Sequence, residues 1–354
     1  MRVTQDLSAA WRTYIGRAVT TSRFTAETDG PEGQWAAGDE IEAGLKPDAD
    51  GVPDFHAYNH TTRRKIALTP ITDRLSNGFT KLFNPYRLLR PGPNGPRTPG
   101  RQKDLSTQVD KCSYFCQNPA HPWSLLTKEP LLVTCQPNGY WAFYYNFSPF
   151  VASGHFVVVP VLMKGASFSL PHTEQKLTWE YLRDGIELGR HTEGLLIFFN
   201  GQHAGASQNH FHFQAVCTER LRLRATEETF AIERNELPTG SDYAFLADDY
   251  PINGVVFSPD APIDLIHGFV QRMNEQSIPH NLILLRNKVY VVPRRIEHEI
   301  VDEFPYNVVA STEMAGEFIM PNLENYHETD YARVASALGK LSLGREEIEQ
   351  LLGP

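Results

Sequence analysis

Two histidines and a glutamine alternate along one short segment of the chain. His210, His212 and Gln214 occur in the sequence HFHFQAV, with Phe211 and Phe213 between them. Because successive side chains of a β-strand point to opposite faces, residues 210–216 predict a strand with one polar and one apolar face. Buried imidazole and amide groups need polar partners or a ligand, so the polar face has the character of an active site.

The residues around this segment favour phosphoryl chemistry. A neutral imidazole, with a reference pKa of about 6.5, can attack phosphorus directly and form a phosphoramidate. Just upstream, Gly205 and Ala206 let backbone amides approach an anion, while Ser207 and Gln208 offer donors to phosphate oxygens. Taken alone, the two histidines could equally ligate zinc or form ordinary hydrogen bonds on a strand.

The flanking sequence predicts the elements that position these groups. Residues 140–147, 155–161 and 195–200 are aromatic, β-branched or apolar runs typical of strands, whereas residues 174–192 have the three- and four-residue spacing of a helix. A loop rich in small residues then leads into the histidine segment. The predicted order is strand, strand, helix, strand, loop, strand.

A weaker copy of this order follows in the sequence. It consists of a strand at 254–257, a helix at 262–276, and strands at 281–285 and 289–293. Residues 330–352 alternate Ala, Leu and charged side chains at helical spacing and predict one or two helices.

Glycine and proline clusters mark the N-terminal third. Residues 30–53 and 90–100 are rich in them, and we expect surface excursions or partial disorder there. The sequence thus predicts an N-terminal region at 1–104, a catalytic half at 105–235, and a degenerate second half with C-terminal helices at 236–354.

Composition and charge limit the possible partners. The chain has 354 residues, 41% of them hydrophobic, and a formal net charge of -9. Such a chain can bury a large core, and its acidity gives no broad attraction for nucleic acid or an anionic membrane. No apolar run approaches the roughly 20 residues that cross a bilayer, and residues 1–15 lack a signal-peptide core. We expect a cytoplasmic protein without nucleic-acid or membrane partners.

The cysteines leave one question about metal open. Cys112 and Cys116 are separated by three residues, one more than in a tight zinc knuckle, and His121 follows at short range. Four cysteines are too few for a disulfide scaffold. Because the spacing is looser than in a zinc knuckle, the favoured interpretation of Cys112 and Cys116 is two reduced, partly buried thiols. We therefore expect no required cofactor and assign no metal ligand, with zinc as the alternative.

Several blocks in the same order resemble the histidine triad superfamily. The blocks YNFSPFVASGHFVVVP and FFNGQHAGASQNHFHFQ are similar to its ribose-binding segment and its phosphate loop with active-site strand. Within the superfamily, the likeness is to the transferase branch of galactose-1-phosphate uridylyltransferases, diadenosine tetraphosphate phosphorylases and GDP-hexose phosphorylases. YPINGVVF, NLILLRNKVYVVPRR and STEMAGEFIM extend it from about residue 111 to the C-terminus.

This resemblance implies a fold and a set of roles. The fold would be α+β, an antiparallel sheet with flanking helices built from two fused histidine-triad-like halves, and a homodimer is possible. His212 would be the nucleophile, with His210 as a companion that binds the metal in some relatives. Gln214 matters because glutamine there accompanies transferases, whereas a third histidine accompanies hydrolases. Nucleotide-binding residues would be those near ribose and phosphate, namely Asn146, Asn200, Gly205, Ala206, Ser207 and Gln208.

Three hypotheses for function follow from this likeness. The first is a phosphorylase that cleaves a nucleoside-diphosphate sugar such as a GDP-hexose at the α-phosphorus, with inorganic phosphate as acceptor. The second is a dinucleoside polyphosphate phosphorylase acting on diadenosine tetraphosphate. The third is a catalytically silent nucleotide-binding protein that retains the fold.

Overall fold

The architecture is known from a computed structural model. It describes residues 20–84, 115–218 and 230–353, apart from short gaps within each range. Cys112, His121 and Ser207 lie outside the described residues.

Within the described residues, seventeen strands form three sheets. In chain order they are β1 (Thr20–Thr25), β2 (Glu40–Pro47), β3 (Pro53–Asn59), β4 (Arg64–Lys65), β5 (Ile71–Arg74), β6 (Thr80–Phe83), β7 (Leu132–Gln136), β8 (Gly139–Tyr145), β9 (His155–Lys164), β10 (Ser167–Ser169), β11 (Leu195–Asn200), β12 (Phe213–Cys217), β13 (Tyr243–Phe245), β14 (Val255–Phe257), β15 (His280–Leu285), β16 (Lys288–Pro293) and β17 (Glu317–Met320).

The α-helices within the described residues lie mainly towards the C-terminus. They are α1 (Trp179–His191), α2 (Ile263–Glu275), α3 (Ser311–Ala315), α4 (Leu323–Glu328), α5 (Tyr331–Leu341) and α6 (Arg345–Leu352). The predicted helix at 174–192 begins later than expected because the side chain of Thr178 accepts a hydrogen bond from the amide of Tyr181 and caps the first turn. The predicted C-terminal helical segment is divided into α5 and α6.

A ten-stranded antiparallel sheet forms the body of the protein. Its main path runs β13-β14-β16-β15-β11-β12-β9-β8-β7, and β10 pairs with β9. The order β8-β9-β12-β11 on one side of the centre is repeated in mirror sequence by β13-β14-β16-β15 on the other. The predicted α+β fold with two related halves is therefore confirmed, and the two halves share one continuous sheet across the β11–β15 ladder.

The second half differs from the first at the site of interest. In the first half, β11 and β12 are joined by a long connection, residues 201–212, which we call the histidine loop. In the second half, β15 and β16 are joined by a tight turn at Arg286 and Asn287, both with positive φ. That geometry is typical of a two-residue hairpin turn. The second half therefore has no equivalent of the histidine loop, as its prediction as a degenerate copy implies.

Each face of the large sheet is covered differently. One face packs against α1, α2 and α6 through residues such as Leu182, Phe269 and Ile348. The opposite face carries two separate apolar clusters, one covered by α3 to α5 with β17 and the other including Phe115 and Leu125. β11 is buried on both faces, which explains why its sequence LLIFFN is apolar up to the final Asn200.

Two small sheets surround this body. β5, β6 and β17 form one, with β6 and β17 parallel, and β1 to β4 form an antiparallel sheet around Trp35, Ile41 and Ala57. The expectation of an irregular excursion over residues 30–53 is wrong for Glu40–Pro47, which is a strand. Ile41 and Ala43 alternate with charged residues there and are buried, a period-two pattern that the surrounding Asp, Glu and Gly residues obscure.

Two further expectations concern domain boundaries and membrane contact. The proposed boundaries at 104 and 235 remain predictions, and residues 85–114 and 219–229 lie outside the described ranges. Among the helices that the structure describes, none is both long enough and apolar enough to span a bilayer.

Candidate functional site

The site lies on the sheet face that carries two separate apolar clusters, at the gap between them. Gln214 of β12 pairs with Phe198 of β11 on one side and with Val157 of β9 on the other. Phe198 belongs to the cluster under α3 to α5, and Val157 belongs to the cluster around Phe115. The polar residues near Gln214 therefore occupy the space between two hydrophobic walls.

The predicted two-faced segment is confirmed, but its strand starts later than expected. Phe211, Phe213 and Ala215 are fully buried in the core beneath the helices. β12 begins at Phe213, so His210 and His212 belong to the end of the preceding loop and not to a strand spanning residues 210–216. At this bend the imidazole of His212 contacts the backbone carbonyl of His210.

His212 is held in one tautomer by its neighbour. Its Nδ1 lies 2.8 Å from the carbonyl oxygen of His210. A carbonyl only accepts, so Nδ1 carries the proton and the lone pair is on Nε2. Burial lowers the pKa of His212 to about 4, although the hydrogen bond to His210 opposes this shift. The imidazole is therefore neutral near pH 7 with Nε2 as a nucleophilic atom.

His210 is buried beside two other potential metal ligands. Both of its ring nitrogens lack hydrogen-bond partners in the described structure, and burial lowers its pKa to about 3. One ligand atom each from Cys116, His172 and His210 lies within 4.8 Å of the others. Sγ of Cys116 is 3.7 Å from Nδ1 of His172.

This cluster has the chemistry of a zinc site. Ligand atoms of a tetrahedral zinc are roughly 3.3 to 3.8 Å apart, given bonds of about 2.0 to 2.3 Å, so the Cys116–His172 separation fits. A soft thiolate with two imidazoles is a donor set that zinc favours. Unpartnered buried nitrogens on His210 and His172 also fit a ligand role, since such atoms otherwise lose hydrogen bonding. Cys112, a candidate fourth ligand, lies outside the described residues.

Gln214 is tied to the residues beside it on β8 and β9. Nε2 of His155 lies 2.9 Å from Oε1 of Gln214 and 3.1 Å from Nδ2 of Asn146. An amide oxygen only accepts, so His155 donates to Gln214 in the tautomer that carries its proton on Nε2. Nδ2 of Asn146 donates to the same oxygen at 3.3 Å. Asn146, predicted near ribose, is thus brought to the polar face together with Gln214. His155 is fully buried, and neither the sequence spacing nor the resemblance assigned it a role.

The predicted phosphate loop is compact and much of it is bonded internally. Gly205 has a φ of +96°, and a Cβ there would lie 2.8 Å from Cβ of Ala310, so glycine is required by backbone and packing alike. The amide of Ala206 donates to the carbonyl of Gly201 at 3.3 Å. Gln208 is buried, whereas its prediction left a solvent-facing position open.

Asn200 is directed towards the second half of the sheet. Its Oδ1 accepts hydrogen bonds from Nδ2 of Asn281 at 2.8 Å and from Oγ of Ser311 at 2.7 Å. Nδ2 of Asn281 also donates to the carbonyl of Ala204 at 2.8 Å. The side chain of Asn200 thus joins the histidine loop to β15 and α3. The nucleotide-binding roles assigned to Asn200 and to the loop residues stay predictions.

Gln175 is a residue of the site that sequence reasoning missed. Its side-chain amide contacts the backbone of His212 and of Asn200, and it is almost completely buried. His172 was missed in the same way. Both stand in the segment PHTEQ, which precedes α1 and contains no motif that marks them, and the helix predicted from residue 174 gave Gln175 no role in the site.

Part of the chain matches a described protein family. Residues 244–352 match the family model described as GDPGP1-like, C-terminal domain. This segment includes β14 to β17 and α2 to α6, and it leaves the histidine loop outside the match. Among curated protein sequences, none matches the chain significantly.

The whole chain is similar in structure to yeast Ap4A phosphorylase. The superposition has a TM-score of 0.50 with 16% sequence identity, and it covers 96% of this chain and 94% of the yeast protein. The chain therefore shares the fold of that protein. Other matches are yeast Ap4A phosphorylase in complex with Ap4A, with a TM-score of 0.49, 16% identity, and coverage of 78% of this chain and 89% of that one. An ADP-glucose phosphorylase from Arabidopsis thaliana with bound ADP-glucose matches with a TM-score of 0.33, 14% identity, and coverage of 78% and 100%.

The shared fold agrees with the likeness to diadenosine tetraphosphate phosphorylases that the motifs indicate. The segments that carry that resemblance, which run from Asn146 through Gln214 to the C-terminal helices, lie in the ten-stranded sheet and in the elements packed on its faces. At 16% identity the comparison shows a shared architecture.

Proposed function

We propose that the protein is a nucleotidyltransferase of the phosphorylase type. Its substrate would be a nucleoside-diphosphate sugar such as a GDP-hexose, and its acceptor inorganic phosphate. The observation that carries this proposal is the neutral imidazole of His212, whose Nδ1 proton is bonded to the carbonyl of His210 and whose Nε2 lone pair is left for attack. The match of residues 244–352 to the GDPGP1-like C-terminal domain agrees with a sugar nucleotide.

The proposed reaction has two displacements at the α-phosphorus. In the first, the Nε2 lone pair of His212 forms a bond to phosphorus while the bond to the bridging oxygen breaks, and the electron pair leaves with the sugar 1-phosphate. In the second, an oxygen of inorganic phosphate attacks the nucleotidyl-His212 intermediate and the P–N bond breaks. The products are a nucleoside diphosphate and a sugar 1-phosphate, and His212 regains its lone pair.

Gln214 would stabilise the phosphoryl oxygens in both steps. Its Oε1 accepts from His155 and Asn146, which directs the amide nitrogen of Gln214 away from them. The N–H groups of that nitrogen are then available to donate to a non-bridging phosphoryl oxygen as negative charge develops. By the resemblance described above, a glutamine at this position agrees with phosphate, and not water, as the acceptor.

Zinc would have a structural role if it binds. Cys116, His172 and His210 would hold it, and its chemistry there would be to fix the bend at His210, whose carbonyl orients His212. The two displacements use no atom of that cluster, which is consistent with the expectation that no cofactor is required for the transfer itself.

A phosphate-dependent assay with intact-mass detection tests the proposal. The protein is mixed with GDP-glucose, ADP-glucose, UDP-glucose or diadenosine tetraphosphate, with and without phosphate. We expect a nucleotide-sized mass increase on the protein from one sugar nucleotide, and its release as a nucleoside diphosphate when phosphate is added. A preference for diadenosine tetraphosphate over the sugar nucleotides would instead support the second hypothesis, a dinucleoside polyphosphate phosphorylase.

Variants of His212 decide the role of the nucleophile. His212→Gly should abolish both the covalent mass and turnover, and added imidazole should restore transfer because it can occupy the vacated space. Turnover that survives in His212→Gly without imidazole would contradict the proposal. Thermal stabilisation by nucleotide without any turnover in the unsubstituted protein would indicate a silent binder.

A further inference from the structure

Gln175 contacts the backbone of His212 from both of its polar groups. The amide of His212 donates to Oε1 of Gln175 at 2.9 Å, and Nε2 of Gln175 donates to the carbonyl of His212 at 3.2 Å. The same Nε2 donates to the carbonyl of Asn200 at 2.8 Å. One side-chain amide therefore joins the last residue of β11 to the residue that carries the imidazole.

This amide stands where the β-ladder has ended. The β11–β12 register runs from Leu195–Cys217 to Phe198–Gln214. Continued by two residues, it would bring Asn200 opposite His212, but these two are not a ladder pair. Gln175 instead offers one acceptor and one donor group to His212, as a neighbouring peptide unit would in a sheet.

The backbone of Gln175 also fixes the loop before His212. Its amide donates to Oδ1 of Asn209 at 3.0 Å, and Nε2 of Gln202 donates to the same oxygen at 3.2 Å. Asn209 and Gln175 are both at most 2% exposed. Gln175 therefore holds residues 209–212 at both ends, at Asn209 through its backbone amide and at His212 through its side chain.

We infer that Gln175 is a positioning residue that aims the imidazole of His212 at the α-phosphorus. The inference rests on the proposed function. It predicts that the effect of Gln175 is transmitted through the backbone of His212 and not through contact with the nucleotide. Because catalytic geometry is sensitive to displacements of about 1 Å, loss of this support should slow the attack strongly.

Gln175→Met tests the inference in the full-length protein. Methionine has nearly the same length and shape as glutamine but leaves the amide of His212 and the carbonyl of Asn200 without their partner. We expect kcat to fall about 100-fold while KM changes by no more than about threefold, because attack is impaired and binding is retained. Retention of kcat within about twofold of the unsubstituted protein would refute the positioning role.

Asn235→Leu is the matched control. Asn235 is also 2% exposed, and its amide likewise bonds two backbone groups, donating to the carbonyl of Ile232 at 2.8 Å and accepting from the amide of Ala247 at 2.7 Å. Its partners belong to the segment before β14 and not to the histidine loop. Asn235→Leu should lower the melting temperature and keep kcat. An equal loss of kcat in both variants would mean that general destabilisation explains the effect of Gln175→Met.

Nuclear magnetic resonance of the imidazole separates this inference from the proposed function. In protein labelled with nitrogen-15 at histidine, His212 should show a single tautomer protonated on Nδ1, with slow exchange of that proton. Gln175→Met should mix the tautomers and speed the exchange, while Asn235→Leu should not. An unchanged tautomer in Gln175→Met would overturn the inference even if no nucleotide were a substrate, and absence of turnover alone would count only against the proposed function.

Discussion

Nε2 of His155 lies 2.9 Å from Oε1 of Gln214 and fixes the orientation of an amide that the sequence marks as part of the active strand. His155 is 1% exposed and begins β9, directly beside β12 in the sheet. The pairing means that the two ends of the Gln214 amide are not equivalent. Its oxygen faces protein donors and its nitrogen is left for a ligand.

His155→Phe should therefore lower the rate of transfer. Phenylalanine keeps a ring of similar size but cannot donate to Gln214, so Oε1 of Gln214 keeps only the longer hydrogen bond from Asn146 and its N–H groups are held less firmly towards a phosphoryl oxygen. Since removal of a whole stabilising donor costs about 100- to 1000-fold in rate, we expect a smaller fall of about 10- to 100-fold in kcat. Steady-state kinetics on the substrate identified above measure this.

His191→Phe provides the control for the same chemical change. His191 is at the end of α1 and is exposed, and its Nδ1 contacts only the carbonyl of Glu187 and that residue's carboxylate. The rate should be unchanged there. Equal rates in His155→Phe and the unsubstituted protein would show that the amide of Gln214 needs no anchor.

Zinc content is the second prediction. Protein purified without chelator should contain about one zinc per chain, and Cys116→Ser and His172→Asn should each reduce this strongly, because each removes one ligand from a cluster of three. Metal analysis by mass spectrometry measures the stoichiometry. Cys135→Ser is the control, since Cys135 is exposed and outside the cluster. A metal-free protein with full thermal stability would rule out the site.

The third prediction concerns two glycines that α1 presents to the sheet. A Cβ on Gly185 would lie 2.6 Å from Cζ of Phe213, whereas a Cβ on Gly189 would meet Cβ of Leu284 at an ordinary 3.4 Å. Gly185→Ala should destabilise the protein by about 1 to 3 kcal/mol, because the helix must move away from a packed core. Gly189→Ala should be neutral or stabilising by up to about 1 kcal/mol, since alanine favours the helix.

Chemical denaturation of both alanine variants tests this contrast. The two substitutions are one turn apart on the same helix, so the difference in unfolding free energy isolates the contact with Phe213. Because Phe213 directly follows His212, Gly185→Ala should also reduce transfer while Gly189→Ala should not. Equal stability of the two variants would mean that α1 does not pack this closely.

The elements of the large sheet could be predicted because their burial has a regular period. The strand at 195–200 and the helix between Ile263 and Glu275 were found from apolar runs and helical spacing alone. His212 and Gln214 could be singled out as candidate site residues because alternation on a strand separates polar from apolar side chains. These are local patterns, and they are visible in a single sequence.

The residues that support the site could not be predicted in this way. Each supporting residue is distant in sequence from the residue that it contacts. Gln175 contacts His212, His172 lies beside His210, and His155 contacts Gln214. Folding alone brings these pairs together. The late start of β12 has the same origin, because the side chain of Gln175 bonds the backbone of His212 where a ladder would otherwise continue. A contact between distant residues leaves no period in the sequence around either of them.

The fourth prediction is a pH dependence of stability that originates at His280. This histidine begins β15 and is 4% exposed, with its Nδ1 donating to the carbonyl of Ile278 at 3.1 Å and its Nε2 without a partner in the described structure. Burial lowers the pKa of His280, and the hydrogen bond to Ile278 opposes this only in part. The neutral form is therefore the one that the fold accepts.

The sign of the effect follows from proton binding. Below the unfolded-state pKa of about 6.5, the unfolded chain takes up a proton at His280 that the folded protein does not. Stability is thus fully present above that pH and is lost as the pH falls, by up to about 1.4 kcal/mol for each unit until the folded-state pKa is reached. His280→Phe removes the titrating group and keeps a ring against Phe199, whose centroid is 5.7 Å from that of His280.

We expect the free energy of unfolding of His280→Phe to rise relative to that of the unsubstituted protein as the pH falls from 7 to 5.5. Urea denaturation at several pH values measures the difference, and every other histidine contributes equally to both proteins and cancels. The contrary result would be a difference in unfolding free energy between the two proteins that stays constant over this pH range. It would mean that His280 is protonated equally in the folded and unfolded states, and that its ring is hydrated where the structure buries it.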